Sequence, residues 1–123
     1  MDAYIYCADI YCADCGRAIR KQLKREGHAP ADPRDGSSYD SDEYPKGPFE
    51  DGGGEADCPQ HCGSGIDCLN AITLLDNSII GAFLENPLTQ VGYQYVREMY
   101  LEDSASELVQ LWVDYYPEAI KDE

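Results

Sequence analysis

Residues 12–16, Cys-Ala-Asp-Cys-Gly, and residues 58–68, Cys-Pro-Gln-His-Cys-Gly-Ser-Gly-Ile-Asp-Cys, contain five of the six cysteines in this chain of 123 residues. The two-residue spacing in the first stretch lets both thiolates face one ion, and Gly16 permits a tight turn. The second stretch combines three cysteines with His61. Together the two stretches predict a metal site in which sulfur is the main ligand atom.

Four thiolates form the favoured ligand set, and they are Cys12, Cys15, Cys62 and Cys68. The second pair is more widely spaced than the first, but Gly63 and Gly65 supply the backbone freedom for an enlarged knuckle. Soft thiolates select zinc over calcium or magnesium, and four protein ligands leave no position for water or substrate. The sequence therefore predicts one structural Zn²⁺.

The fourth ligand has alternatives, because Cys58 and His61 lie in the same stretch as Cys62 and Cys68. A second possible set is Cys12, Cys15, His61 and Cys62. Adjacent residues tend to point apart, so this set strains the backbone. The cysteines could instead form disulfides, free buried thiols or a redox pair.

The compartment is inferred from two absences in the sequence. No secretory signal is visible, since Asp2 stands where a basic region is expected and no small-residue cleavage site follows an apolar run. The longest mostly apolar stretch, residues 79–84, is far shorter than the ~20 residues that cross a bilayer. We therefore expect a cytoplasmic protein, and in a reducing compartment cysteines more often bind metal than form disulfides.

The net charge of −15 is unevenly distributed along the chain. Residues 1–34 contain six Lys/Arg and five Asp/Glu, whereas residues 35–123 contain three and nineteen. An acidic surface repels phosphate backbones and anionic membranes, which disfavours nucleic acid and membrane as partners. The same acidity is typical of a well-solvated surface, and it would also suit a protein that mimics nucleic acid in the basic groove of a partner.

The N-terminal half shows a strand, a helix and a loop. Residues 3–11 are rich in Tyr and Ile and predict a strand that leads into the first cysteine pair. Residues 17–26 are strong helix formers, and Gly27 is placed to end that helix with a left-handed cap. Residues 28–57 contain four prolines and a triple glycine and predict an irregular loop, whose ends a metal would tie together.

The C-terminal half predicts a β-hairpin and two helices. Residues 71–75 and 79–84 flank an Asx-type turn at residues 76–78. Asn86 is the expected N-cap of a helix over residues 88–101, and a capping box of Ser104 and Glu107 starts the next helix. The expected apolar faces are Leu88, Val91, Tyr95 and Met99, with Val96 beside them, on the first helix, and Leu108, Leu111, Trp112 and Tyr115 on the second. Trp112 is the expected core anchor.

The predicted fold class is α+β, in a single zinc-stabilised domain over residues 1–123. Residues 1–70 supply a small zinc-ribbon-like part with the first knuckle, a helix and the long irregular loop. Residues 71–123 supply the hairpin and the two C-terminal helices. Pro117 is expected to end the last helix.

Four segments of the chain resemble small proteins of tailed phages and prophages, a family with no established activity. They are YCADCG at 11–16, SYDSDEYPKGPFEDGGGEADCPQHCG at 38–63, FLENPLT at 83–89 and GYQYVRE at 92–98. The resemblance implies a phage or prophage origin and cysteine pairs at Cys12/Cys15 and Cys62/Cys68. It implies no mechanism.

We expect a non-enzymatic protein, because no catalytic motif is present. HExxH and GxSxG are absent, and the glycines at 52–54 are followed by Glu55 rather than by the Lys and hydroxyl of a phosphate loop. The leading function is protein–protein interaction by a phage accessory protein, including inhibition of a host or defence protein. The alternative is a nucleic-acid-binding zinc ribbon that uses the basic helix 17–25, which the overall charge opposes.

Overall fold

The computed structural model describes residues 1–121, which form two small antiparallel sheets, three α-helices and short 3₁₀ turns. The strands and helices are β1 (Ala3–Tyr6), β2 (Asp9–Cys12), α1 (Ala13–Arg25), β3 (Lys46–Phe49), β4 (Ile72–Thr73), β5 (Ile79–Ile80), α2 (Gln90–Glu102) and α3 (Glu107–Tyr115). The α+β class, the hairpin and the two C-terminal helices are confirmed. The single domain over residues 1–123 stays a prediction, and its last two residues lie outside the described range. None of the helices in that range has the length and apolar content needed to cross a membrane.

The N-terminal strand prediction is wrong in one respect, because residues 3–11 contain a hairpin rather than one continuous strand. Cys7 and Ala8 both have positive φ, 51° and 60°, which is the geometry of a two-residue turn between antiparallel strands. β1 pairs with β2 so that Ala3 lies opposite Cys12, and β3 adds to the other edge of β1. The hairpin therefore brings Cys12, the first residue of the cysteine pair, next to Ala3 near the start of the chain.

Helix α1 begins earlier than its composition suggested, directly after Cys12, so that the first cysteine pair forms its N-terminal turn. Its predicted end is confirmed. Gly27 has φ of 80°, His28 N–H donates to Leu23 O at 2.8 Å, and Gly27 N–H donates to Lys24 O at 3.1 Å. These two hydrogen bonds satisfy carbonyls that the helix end would otherwise leave unpaired.

The segment over residues 28–57 is mostly irregular, as predicted, but it also contains β3. Arg20 of α1 holds this segment against the sheet. Its guanidinium donates to Pro45 O at 3.0 and 2.8 Å and lies over the rings of Tyr4, at 4.8 Å, and Tyr44, at 5.0 Å. The segment is therefore anchored by one cation between two aromatic rings as well as by backbone pairing.

The segment from Ala82 to Leu84 joins two hydrophobic clusters. It pairs antiparallel with residues 60–62, since Cys62 N–H donates to Ala82 O and Leu84 N–H donates to Gln60 O, each at 2.9 Å. Successive side chains of an extended segment point to opposite faces. Accordingly Ala82 and Leu84 pack in the cluster that contains the cysteines, and Phe83 packs with Trp112 in the C-terminal cluster.

The start of α2 differs from its prediction. Thr89, not Asn86, is the N-cap, and its hydroxyl accepts from Gly92 N–H at 3.1 Å.

The predicted apolar face of α2 is correct in part. Leu88 and Val96 are buried and Met99 packs against the C-terminal cluster, whereas Val91 is 60% exposed. Gly92 and Val96 are the buried residues within the helix itself.

Helix α3 is capped by Ser106, so the proposed capping box of Ser104 and Glu107 is wrong. Glu107 instead accepts the backbone N–H of Leu75 at 2.6 Å and thereby holds the loop of the β4–β5 hairpin. Trp112 is buried as predicted, and Pro117 begins a 3₁₀ turn after the helix.

The β4–β5 hairpin itself is confirmed, although each strand has only two residues. Its turn has the predicted Asx character, because the Asp76 carboxylate accepts the backbone N–H of Ser78 at 3.0 Å.

Asn86 is the buried polar residue at the centre of the C-terminal packing, with no exposed surface. Its Oδ1 accepts from Gln60 N–H at 2.8 Å, its Nδ2 donates to Cys58 O at 3.2 Å, and its backbone carbonyl accepts from the Tyr116 hydroxyl. Burial raises the pKa of Tyr116, which keeps this hydroxyl protonated as a donor. One amide thus joins the second cysteine stretch to the end of α3.

Replacing Asn86 should therefore be costly. Asn86→Ala leaves the Gln60 N–H and the Cys58 carbonyl without their partner, and we expect a loss of about 2–4 kcal/mol in unfolding free energy. Urea titration of both variants measures the loss, with exposed Gln90→Ala as the matched control, for which we expect a change within about 0.5 kcal/mol. Equal effects of the two substitutions would contradict the role given to Asn86.

Candidate metal centre

Four of the predicted site residues come together in the N-terminal core. Cys12 ends β2, Cys15 lies in the first turn of α1, Cys62 lies on the segment paired with residues 82–84, and Cys68 comes directly after the 3₁₀ turn at residues 65–67. All four are buried, and their Sγ atoms all lie within 4.8 Å of one another. We call this group of four the cysteine cluster.

The spacing of the sulfur atoms fits a tetrahedral ion. Cys68 Sγ lies 3.8 Å from Cys12 Sγ and 3.8 Å from Cys15 Sγ. A tetrahedron with Zn–S bonds of about 2.3 Å has S–S edges of about 3.8 Å. A disulfide needs about 2.05 Å, and all six cysteines are free thiols. The cysteine cluster can therefore hold one metal ion.

The glycines of the second knuckle act in two different ways. Gly65 has φ of 55°, a left-handed conformation that provides the predicted backbone freedom. Gly63 contacts the β1–β2 hairpin, because its N–H donates to Ile10 O at 2.6 Å and its α-carbon lies beside the exposed carboxylate of Asp9. The second knuckle can therefore lie directly against the β1–β2 hairpin.

Nitrogen donors surround the cysteine cluster. Leu69 N–H points to Cys15 Sγ at 3.3 Å, and Asn70 N–H points to Cys68 Sγ at 3.4 Å. The Asn70 amide also donates to Cys12 Sγ at 3.6 Å and to the Asp14 carboxylate at 2.8 Å. Such donors stabilise negative charge on sulfur and orient the ligands.

Sequence reasoning missed Asn70. Its proximity to Cys68 is the only signal that could have suggested this role, and an amide two residues after a cysteine is common in ordinary turns.

The pKa values of the thiols in the cysteine cluster indicate that thiolates in this buried space need a bound cation. Burial raises the pKa of the Cys12 thiol and raises that of Cys62 to about 12. Burial acts in the same direction on Cys68, but hydrogen bonds from the backbone N–H groups of Ala82 and Asn70, with help from the neighbouring thiols, lower its pKa overall. Several thiolates cannot share this buried space unless a positive ion compensates them.

His61 does not join the cysteine cluster. Its Nδ1 is 2.9 Å from the Gly81 carbonyl, and its Nε2 accepts the indole N–H of Trp112 at 3.1 Å. Burial lowers the pKa of His61, in keeping with a neutral ring that stacks on Phe83 at 5.4 Å. Both ring nitrogens are used in packing, so the structure gives no support to the alternative set that includes His61.

The remaining cysteines lie apart from the four that cluster. Cys58 is half-buried, and its Sγ accepts from the Gln60 side chain at 3.5 Å. Cys7 is exposed on the turn of the N-terminal hairpin, with its Sγ 3.7 Å from Asp42 O. Neither belongs to the group of residues 1–121 that could hold a metal ion.

Comparison of the chain with family models, curated proteins and solved structures finds no match. The resemblance to phage and prophage proteins therefore stays a prediction. What the structure defines is a potential metal-binding protein with a buried cluster of four cysteines.

Single Cys→Ser substitutions should distinguish the metal ligands from the cysteines that do not bind metal. We expect Cys12→Ser, Cys15→Ser, Cys62→Ser and Cys68→Ser each to lower bound zinc well below one ion per chain, because a hydroxyl is a poor ligand for zinc. Cys7→Ser and Cys58→Ser are the controls and should retain one ion per chain. Elemental analysis of the purified variants gives the ratio, and loss of zinc in Cys58→Ser would show that the ligand set is wrong.

His61→Phe tests the packing role assigned to the imidazole. The phenyl ring can still stack on Phe83, but Trp112 N–H loses its acceptor, so we expect about 1–3 kcal/mol of destabilisation with an unchanged zinc content. Thermal unfolding and elemental analysis of the same sample provide the two readouts. A zinc content that falls while the protein stays folded would identify His61 as a ligand after all.

Proposed function

We propose that this protein is a non-enzymatic, zinc-binding accessory protein of a phage or prophage, and that it acts in the host cytoplasm by binding another protein. The cysteine cluster is the observation that carries the proposal. Four buried sulfur atoms within 4.8 Å of one another would fill every ligand position of a structural zinc. A closed thiolate site favours zinc and leaves no vacant position for substrate, so the ion maintains the fold.

Two surface features support a protein partner. The net charge of −15 suits a partner with a basic surface. Close to Cys68, the side chains of Ile66 and Leu69 are 69% and 65% exposed, and Leu75 on the adjacent hairpin loop is 90% exposed. Exposed apolar side chains beside acidic groups such as Asp67 are a common feature of protein interaction surfaces. Inhibition of a host or defence protein is one form that this interaction would take.

The nucleic-acid alternative receives less support, because α1 uses part of its positive charge internally. Arg17 pairs with Asp14 one turn earlier. Arg20 is half-buried and donates to the carbonyls of Pro45 and Gly47 and to the Tyr39 hydroxyl. Among the other cations of α1, Lys21, Lys24 and Arg25 form no ion pair with a described residue, but the overall charge repels DNA.

Removing the metal should unfold the N-terminal part of the protein. Structural zinc contributes about 10–16 kcal/mol in small zinc domains, more than a small core supplies. We expect a strong chelator to reduce the far-UV circular dichroism and to shift the fluorescence of Trp112, which contacts His61 next to Cys62. Unchanged spectra, with zinc shown to be absent, would reject a structural role for the ion.

The partner can be sought with a matched pair of baits. We expect the native protein to capture a specific protein from host lysate, and the double variant Ile66→Ser, Leu69→Ser to capture at least about fivefold less, because the apolar contacts are lost. Arg25→Gln and Lys24→Gln together form the control and should leave capture unchanged. A low-salt gel shift with DNA tests the alternative function. Tight DNA binding that the α1 variants abolish would favour the alternative.

A further inference from the structure

A cavity of about 480 Å³ lies between the long segment after α1 and the strand β3, well separated in sequence from the cysteine cluster. The side chains that matter for its chemistry are Arg34, Tyr39, Lys46, Pro48 and Phe49. We call this cavity the Lys46 pocket. Its volume lies in the range of sites that bind small organic molecules.

The Lys46 pocket is basic in an otherwise acidic protein. Lys46 and Arg34 line it, no Asp or Glu does, and neither cation forms an ion pair within 4.0 Å in the described residues. Asp32 and Asp35 flank Arg34 in sequence but do not pair with its charge. Asp32 accepts from the backbone N–H of Arg34 at 3.1 Å, Asp35 accepts from the Ser37 hydroxyl at 2.6 Å, and neither forms an ion pair with Arg34 or Lys46 within 4.0 Å. Two cationic groups are therefore available to a bound anion.

A third cation lies behind the pocket wall. Arg20 donates to the carbonyl of Gly47 at 3.3 Å, and Gly47 itself lines the cavity. Its half-buried charge adds to the positive potential of Lys46 and Arg34, because low-dielectric surroundings screen it less than water would. Two cations therefore line the pocket, and a third contacts a residue of its wall.

The apolar part of the pocket includes a tyrosine held by several contacts and an accessible phenylalanine ring. Tyr39 is held in place, since its hydroxyl donates to Pro33 O at 3.0 Å and its ring meets Tyr44 edge-on at 5.6 Å. Lys46 Nζ lies 5.7 Å from the centre of the Tyr39 ring. Phe49 is 40% exposed, so it can stack against a planar ligand. An aromatic ring next to paired cations is the arrangement that binds a base and its phosphate.

We propose that the Lys46 pocket binds a small aromatic anion of the nucleoside phosphate class. The planar base packs against Phe49 and Pro48, and the phosphate lies between Lys46 and Arg34. A free nucleotide is favoured over a nucleic acid chain, because the net charge of −15 repels a polyanion much more than a single phosphate. This inference concerns a site separate from the metal centre and does not depend on the proposed protein partner.

The test is calorimetric titration of the zinc-loaded protein with AMP, pyrophosphate and adenosine. We expect one AMP per chain with a Kd of about 1 mM or below. Pyrophosphate and adenosine should both bind more weakly, because pyrophosphate lacks the base and adenosine lacks the phosphate. Amide chemical shifts provide a second measurement on the native chain. AMP should move signals of residues 33–49. Absence of saturable AMP binding, or shifts confined to other regions, would overturn the proposal.

Variants identify the groups that bind. We expect Lys46→Gln and Arg34→Gln each to weaken AMP binding about tenfold, the effect of losing a hydrogen bond to a charged group. Phe49→Leu should weaken AMP but not pyrophosphate. The matched control is Lys24→Gln, which removes one exposed charge from α1 and should leave the Kd unchanged. Zinc content and circular dichroism verify that each variant is folded. Unaltered AMP binding in both pocket charge variants, or tenfold tighter binding of single-stranded oligoadenylate, would refute a nucleotide site.

Discussion

The mutual packing of four cysteine thiols is the interaction on which the N-terminal part of this protein depends. Seven buried residues form that core, and four of them are Cys12, Cys15, Cys62 and Cys68. The other three are small or medium-sized, so apolar burial alone supplies little stability there. The thiols also come from distant parts of the chain, and a metal ion that binds all four closes the long loop between them at modest entropic cost. In this region the candidate metal site therefore makes up more than half of the core residues.

The C-terminal half of the molecule is joined to the N-terminal core through a few specific contacts. The segment 82–84 directs alternate side chains into the cysteine cluster and into the aromatic C-terminal core. One residue before Cys62, His61 accepts the Trp112 indole N–H, and Asn86 connects the backbone near Cys58 to Tyr116. Because these contacts are hydrogen-bonded and at least partly buried, displacement of the second knuckle would disturb both cores. A structural metal would therefore influence packing well beyond its own ligands.

Local signals in the sequence were reliable where one residue type performs one physical task. Gly27 ends α1 because glycine adopts the left-handed conformation at little cost. The two-residue spacing of Cys12 and Cys15 predicted that both thiols face one site, and both lie in the cysteine cluster. Predictions from the sequence were wrong where the local signal was weak, or where more than one residue could perform the same task. The turn at Cys7 and Ala8 has positive φ without glycine or asparagine, and Asn86 followed by Pro87 resembles a helix start although Thr89 is the N-cap. The cap lies three positions later than predicted, so Leu88 precedes α2 instead of lying within it.

The sequence by itself determined the α+β class, the acidity of the surface and the small set of residues able to bind a soft metal, because these follow from composition and short-range spacing. Only the tertiary structure decided between Cys68, Cys58 and His61, since that choice depends on which side chains converge after a loop of some thirty residues has closed. It also decided that Arg20 anchors a loop and that Lys46 and Arg34 line one cavity. Each of these outcomes depends on contacts between residues far apart in the chain, and a side chain's chemistry there is set by its neighbours in space.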